Sequence, residues 1–237
     1  MRLRTLIVAV VVIAAAVVCV RLGFWQLARL DHKRQLNARL RSSLSRTPEP
    51  VADARRLPDS LMHRPVVLRG TFDSKRHVLL VGRSHDGESG VHLVTPLAIE
   101  GDSIAVLVDR GWLPAPDGVN ARPQDVPAMG ARAVTGIADT LASAPGSGAL
   151  RPLASDSLSL YSAEELGFDS LAARWPYPLA RFVVRELPSR DAPPLPVREA
   201  PEPFNETMHL GYAAQWFAFA LILLVGPVAV ARARRTR

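Results

Sequence analysis

The chain has 237 residues, a formal net charge of +7 and a single cysteine. Much of the positive charge lies next to apolar segments, at residues 21–46 and in the last six residues, which favours phospholipid headgroups over nucleic acid as its partner. No base-reading motif is present, and one cysteine excludes a disulfide framework and a CxxC metal or redox site.

The first element is apolar. Residues 6–20 contain no polar side chain, and a membrane span needs about 20 apolar residues. The sequence therefore predicts a transmembrane helix over residues 5–25. A cleaved signal peptide is the alternative, but no small-x-small cleavage site lies between the apolar run and Arg21, which favours a retained anchor. A span that begins at residue 5 leaves no room for a mitochondrial presequence, which predicts a bacterial membrane.

A basic juxtamembrane segment is predicted over residues 26–60, followed by a β-rich domain over residues 61–187. Short β-prone runs separated by turn residues predict strands at residues 64–72, 77–82, 91–99, 104–110, 133–138 and 179–187. One helix is predicted over residues 163–174, because Ser162 and Glu165 have the spacing of a capping box. The pattern favours a mostly antiparallel sandwich or small barrel.

Six prolines between residues 188 and 203 predict a stiff, extended strut over residues 188–205. A second transmembrane helix is predicted over residues 209–231, with a basic tail at residues 232–237. Two spans place both termini on one side, and the uncompensated arginines of the tail predict that this side is cytoplasmic. Cations at residues 29–46 oppose this orientation, but the rule weakens for long translocated loops, so the β-rich domain is predicted to be periplasmic.

The outer end of the second span carries His209. At helical spacing it shares a face with Tyr212, Ala213 and Trp216. A histidine with aromatic and small neighbours at this depth suits an axial ligand to a planar, apolar macrocycle such as haem. The alternative is an interfacial His-Tyr-Trp belt, which composition alone favours.

The outer end of the first span shows a comparable pattern. Trp25, Arg29 and Lys33 recur every four residues, and Gln26 lies beside them. In the functional interpretation, the indole stacks on a ring and the cations pair with carboxylates such as haem propionates. In the alternative, an interfacial tryptophan is followed by cations that face lipid headgroups, which is favoured when the segment is considered alone.

The other histidines form no recognisable metal-ligand pattern, and His77 and His92 fall in predicted strands. His85 and Ser89 lie close in sequence, which raises the possibility of a hydrolase. The glycines around Ser89 do not form a GxSxG elbow, however, so a hairpin turn is the favoured interpretation.

Five segments, at residues 22–33, 64–72, 90–97, 107–114 and 209–216, together resemble the Surfeit locus 1 family of cytochrome c oxidase assembly factors. The resemblance implies a non-enzymatic inner-membrane protein that binds haem a and assists its insertion into the oxidase catalytic subunit, with haem a synthase as a further partner. A haem-free membrane scaffold that holds oxidase subunits during assembly is the alternative.

The resemblance also assigns residues. His209 matches the haem-ligating histidine of the family, and Trp25, Gln26 and Arg29 match its first-span signature. With the resemblance, the ligand interpretation of His209 becomes the favoured one. Two positions depart from the family pattern, since Met208 and Asp109 each stand where asparagine is usual. The first bears on the surroundings of a haem ligand, and the second is expected to change only a turn hydrogen bond.

Overall fold

The structure, a computed structural model, describes residues 2–126, 130–141, 148–155 and 157–235. The chain divides into two compact units. The first unit consists of Met1–Ser42 and Glu202–Arg237, and the second is Ser43–Pro201. Three α-helices are described: α1 (Arg2–Leu44), α2 (Phe168–Ala172) and α3 (Thr207–Arg235).

The first unit is built from α1 and α3. Both contain a stretch that is long and apolar enough to cross a membrane, within Leu6–Leu44 and Thr207–Pro227. The helix α1 continues well beyond the apolar run, because residues 26–44 consist mainly of good helix formers such as leucine, arginine and lysine. Pro48 follows four residues after α1 ends, as is common beyond a helix C-terminus.

The two helices pack through positions that repeat every seven residues. On α1 the buried positions are Ala16, Gly23, Leu30 and Asn37, and on α3 they include Ala213 and Ala220. This spacing is that of a left-handed coiled coil. Gly23 provides the closest approach, since a Cβ atom there would lie 2.7 Å from the Phe217 ring. Small residues therefore allow the helices to approach closely.

The second unit is a β domain, in which the described residues form nine strands. They are β1 (Glu49–Pro50), β2 (Pro65–Phe72), β3 (Arg76–His85), β4 (Glu88–Ile99), β5 (Ala105–Pro114), β6 (Arg132–Thr140), β7 (Arg151–Pro152), β8 (Ser159–Ala163) and β9 (Leu179–Glu186). All six predicted strands are confirmed. The pairings β1–β2, β3–β8 and β5–β9 are parallel, and the other pairings of the described strands are antiparallel.

Five strands close a barrel, which decides between the two predicted architectures. They follow the order β2, β6, β9, β5 and β4, and residues 70–72 of β2 then pair with residues 97–99 of β4 to complete the ring. The strands β3, β8 and β7 extend the sheet outward from β4. Because β4 is long, it pairs with β2 near its C-terminal end and with β3 over the rest.

Both faces of the central strand β5 are buried. Val106 and Val108 face the barrel interior, whereas Leu107 packs into a second core with Leu171 and Trp175 at α2. Alternate side chains of a strand point to opposite faces, so burial on both sides requires the continuous apolar run at residues 104–108.

The predicted helix over residues 163–174 is wrong in its first half. Residues 159–163 form β8, which pairs in parallel with β3. Helix α2 begins only at Phe168, after Gly167, and has no side-chain cap. Pairing with β3 buries Leu160 and Ser162, and this tertiary contact outweighs the local capping preference of Ser162.

The predicted end of the strand at Arg110 is also wrong. Strand β5 runs on to Pro114, with one extra residue opposite Leu93 that forms a bulge at Arg110 and Gly111. Trp112 of this extension exchanges backbone hydrogen bonds of 2.8 and 2.7 Å with Val197. The proline-rich segment is therefore not a free strut along its whole length, because at Val197 and Arg198 it packs on the barrel.

Replacing Gly111 with alanine is expected to destabilise the protein by about 1–3 kcal/mol. Gly111 has a φ of 113°, and a Cβ atom there would lie 2.2 Å from the carbonyl oxygen of Val197. Gly101 provides the matched control, since its φ is 78° and a Cβ atom would meet nothing within 4 Å. Thermal unfolding of the full chain in detergent should show a larger loss for Gly111→Ala than for Gly101→Ala. Equal losses would show that the contact with Val197 is unimportant.

Charged groups close one end of the barrel interior. The carboxylate of Glu186 accepts a 2.7 Å hydrogen bond from Arg132 and lies 3.0 Å from Nε of Arg198. Arg110 stacks 4.7 Å from the centre of the Phe72 ring. Burial lowers the pKa of Arg110 to about 10, although the charge of Glu186 opposes this shift. One buried carboxylate thus lies near two buried guanidinium groups, Arg110 and Arg198, and the half-buried Arg132.

Candidate functional site

His209 lies in the first turn of α3 and is half-buried against α1. Its Nδ1 lies 2.9 Å from Oε1 of Gln26. An amide oxygen can only accept, so with Oε1 of Gln26 facing the ring the neutral imidazole donates from Nδ1, and this tautomer has its lone pair on Nε2. This is the arrangement of a metal-ligating histidine, which usually donates its second ring N–H to a neighbouring acceptor. The geometry therefore leaves Nε2 as a potential ligand.

The predicted aromatic neighbours on α3 differ in their surroundings. Trp216 is half-buried and packs edge-on against Phe219, with ring centres 6.0 Å apart. Tyr212 is 47% exposed, and Ala213 is buried between the helices. The residues that were predicted to share one face of α3 thus differ. Ala213 lies in the contact between the helices, and Tyr212 and Trp216 lie beside it.

The predicted residues of α1 differ in their exposure. Gln26 is half-buried against His209, whereas Arg29 is exposed and Trp25 is 58% exposed. Phe24 contacts Phe217, with ring centres 5.4 Å apart, and helical periodicity places this pair on the edge opposite Gln26. Among the described residues, the structure thus brings His209 and Gln26 together, but Trp25 and Arg29 form no hydrogen bond, ion pair or ring contact with them.

The two cations predicted for carboxylate pairing are not equivalent. The ammonium of Lys33 lies 4.1 Å from the centre of the Phe204 ring, which is a cation–π contact. Arg29 lies one turn from Gln26 along α1 and exposes its side chain. Arg29 is therefore the better placed of the two to pair with an anionic ligand.

Sequence reasoning missed a polar cluster around Asn37, whose side chain is 1% exposed. Asn37 hydrogen bonds to Glu206 and to the backbone of Phe204, and Arg34 also donates to Glu206, at 3.3 Å. The hydrogen bond from Asn37 holds the pKa of Glu206 below its usual value, with help from Arg34 and against the effect of desolvation. The sequence signal that could have identified Asn37 is its spacing. It lies seven residues after Leu30 and so continues the repeat of Ala16, Gly23 and Leu30.

The departure at Met208 has a local explanation. Met208 is 53% exposed, and Asn205 accepts a 3.0 Å hydrogen bond from the Thr207 amide at the start of α3. The observed hydrogen-bond partner of His209 comes from α1 instead, through Gln26. Gln26 thus contacts the histidine directly, in addition to matching the family signature.

Asp109 does more than the turn hydrogen bond that was predicted. One carboxylate oxygen accepts from the Gly111 amide at 3.0 Å, and the other lies 2.9 Å from Nδ1 of His92. Arg185 lies 4.0 Å from the same oxygen as His92. These groups line part of a cavity of about 490 Å³ on the outer face of the barrel.

The segment around Ser89 is a hairpin, as predicted. His85 pairs with Glu88 across a two-residue turn of Asp86 and Gly87, both with positive φ. Nδ1 of His85 contacts the carboxylate of Glu199, and Ser89 lies opposite Ser84 in the β3–β4 pairing. In the described parts of the chain, no group of three or more His, Cys, Asp or Glu side chains is arranged to hold a metal ion.

Comparison with models of known protein families shows which family this chain belongs to. The model of the SURF1 family matches residues 13–221, which include Gln26, His209 and all five strands of the barrel. The chain belongs to the SURF1 family. The resemblance inferred from the five segments is therefore confirmed.

Individual members of the SURF1 family match over shorter regions. The chain is 34% identical over 104 residues to a SURF1-like protein of Rickettsia felis, covering 43% of this chain and 44% of that protein. It is 34% identical over 108 residues to Surfeit locus protein 1 of Mus musculus, covering 39% and 35%. It is 31% identical over 121 residues to the cytochrome oxidase assembly protein SHY1 of Saccharomyces cerevisiae, covering 48% and 31%. The matched region spans less than half the length of each relative.

Proposed function

We propose that this protein is a membrane-anchored assembly factor for haem-copper (cytochrome c) oxidase that holds haem a and assists its insertion into the catalytic subunit. Its partners would be that subunit, haem a synthase and membrane lipid. Family membership and the name of the yeast relative support the assembly role. The observation that carries the haem role is the hydrogen bond between His209 and Gln26, which leaves Nε2 available.

Exposed apolar side chains support the membrane location. Large hydrophobic residues cover the outer surfaces of α1 and α3; they include Leu6, Ile7, Val10, Val11, Ile13, Val17, Leu221, Ile222, Leu224 and Val225. Continuous apolar surface of this extent is stable only when lipid or protein covers it. We place both termini in the cytoplasm and the β domain in the periplasm of a bacterial inner membrane, on the basis of the basic tail.

The residues at the helix ends fit a haem group. His209 would ligate the iron through Nε2, while Gln26 keeps the proton on Nδ1 and fixes the ring orientation. Trp216 and Tyr212 offer aromatic surface to a planar apolar ring, and Arg29 would pair with a propionate. When bound, haem supplies an iron that can exchange ligands, and one histidine ligand suits a carrier that must release its cargo.

The proposal is tested by the absorption spectrum of the full chain, purified in detergent after co-expression with the enzymes of haem a synthesis. We expect a Soret band in the wild type and its loss in His209→Ala. Met208→Ala is the control, because it truncates an exposed neighbour on the same turn and should keep the band. Full haem occupancy in His209→Ala would refute the proposed ligand. A colourless wild type that still co-purifies with oxidase subunits would refute haem binding and indicate a scaffold.

A further inference from the structure

We propose that Asn37 sets the register of α1 against α3 and thereby positions His209 opposite Gln26. The register itself is a property of the helix pair, and only its consequence for haem rests on the proposed function. Among the described side chains of the two helices, Asn37 is the only polar one that is buried. A single asparagine at such a position in a coiled coil typically specifies register at some cost in stability.

The hydrogen bonds of Asn37 are specific to one alignment. Its Nδ2 donates to the Phe204 carbonyl at 2.9 Å and to Glu206 at 2.7 Å. Its Oδ1 accepts from the Phe204 amide at 2.7 Å. The side chain thus hydrogen bonds to both the N–H and the C=O group of Phe204, just before α3 begins.

No neighbouring residue of α1 can replace this contact after a slip. The residues three or four positions away on the same face are Lys33, Arg34, Leu40 and Arg41. Lysine and arginine side chains only donate, and leucine does neither, so none can both donate to and accept from Phe204. A slipped register would therefore leave the Phe204 backbone and Glu206 without their observed partner.

The alignment at Asn37 determines the alignment at His209. Glu206 precedes His209 by only three residues, and Gln26 lies on the same continuous helix as Asn37. A slip of one turn moves a helix by about 5.4 Å, which is far more than a hydrogen bond tolerates. The 2.9 Å contact between Gln26 and His209 would be lost, and with it the fixed orientation of the imidazole.

The register can be measured by disulfide cross-linking in a Cys19→Ser background. Phe24→Cys combined with Phe217→Cys reports the observed alignment, because the two rings are in contact, with centres 5.4 Å apart. Phe24→Cys combined with Leu210→Cys or Leu224→Cys reports alignments that are shifted by one seven-residue repeat. The yield of each intramolecular link in the full chain is measured by mass spectrometry of proteolytic peptides, without any haem.

With Asn37 present, we expect the link between residues 24 and 217 to dominate. In Asn37→Leu its yield relative to the shifted links is expected to fall about tenfold, since a buried hydrogen-bonded contact of this kind no longer favours one alignment. Gln35→Leu is the matched control, because Gln35 is exposed and bonds only to Asp31 among the described contacts. Asn37→Leu should keep or raise the melting temperature, so that unfolding does not explain the change.

An unchanged link ratio in Asn37→Leu would overturn the inference. A changed ratio together with a haem-free wild type would refute the proposed function and leave the role of Asn37 in register intact. If the wild type binds haem, Asn37→Leu should show weaker binding and a broadened Soret band at unchanged melting temperature. The same spectrum and affinity as Gln35→Leu would contradict the role of Asn37 in positioning His209.

Discussion

Replacing Glu186 with glutamine is expected to lower the free energy of unfolding by about 3–5 kcal/mol, the usual cost of removing one partner from a buried ion pair. The Glu186 side chain is 2% exposed, and its carboxylate contacts Arg132 and Arg198. The buried Arg110 lies close enough for its pKa to respond to the charge of Glu186. Glutamine keeps the size of the side chain but leaves these guanidinium groups without a compensating charge inside the barrel.

Arg110→Met is the informative control for this prediction. Nε and Nη2 of Arg110 are buried and have no hydrogen-bond partner among the described residues, and burial lowers the pKa of this group to about 10. Removing it takes away an unfavourable charge and retains apolar contact with Phe72, so the change should be small or stabilising. Urea unfolding of the full chain in detergent measures both variants. A Glu186→Gln protein as stable as the wild type would show that the cluster is neutralised in another way.

Replacing Gln26 with leucine is expected to weaken haem binding about 10- to 100-fold, as is typical when the hydrogen-bond partner of a metal-ligating histidine is removed. The leucine side chain is similar in size but cannot accept the proton of Nδ1. Without that acceptor, His209 is free to rotate and to place its proton on Nε2, and the fraction of molecules in that tautomer cannot ligate iron through Nε2. This prediction rests on the proposed function and is measured by titration of the full chain with haem.

Gln26→Glu provides the matched comparison, because a carboxylate oxygen also accepts from Nδ1 and should keep the affinity close to that of the wild type. The pair of variants separates the hydrogen bond from the volume of the side chain. Equal affinities of Gln26→Leu and the wild type would show that Gln26 does not orient the ligand. Weak binding by both variants would indicate that the amide nitrogen of Gln26 matters instead.

Local patterns predicted much of the β domain because its strands carry strong local signals. The run at residues 104–108 is apolar on both faces, and the Asp86–Gly87 pair forms the two-residue turn that joins β3 to β4. The start of the helix predicted from Ser162 and Glu165 was wrong, because its signal covers only a few residues, while pairing of β8 with β3 acts along the whole strand. A short local preference is weak compared with a row of backbone hydrogen bonds.

Residues of the candidate site were predicted from the sequence, but the contacts between them were not. His209 and Gln26 were both selected, yet only the packing of α1 on α3 shows that they share a hydrogen bond. Asn37 was not selected, because its one signal, its place in the seven-residue repeat, indicates burial only once α3 is known to pack on that face of α1. Its role depends on Phe204 and Glu206, which lie more than 160 residues away in the sequence.

The sequence by itself determined the two apolar end segments, the β-rich middle and the family. These are properties of residue type and order, which act over a few neighbouring positions. Only the tertiary structure decided that the sheet closes through β2 and β4, that Val197 and Arg198 pack on the barrel, and that Gln26 faces His209. Each of these depends on contacts between distant segments, whose free energy arises from burial and hydrogen bonding that no local pattern encodes.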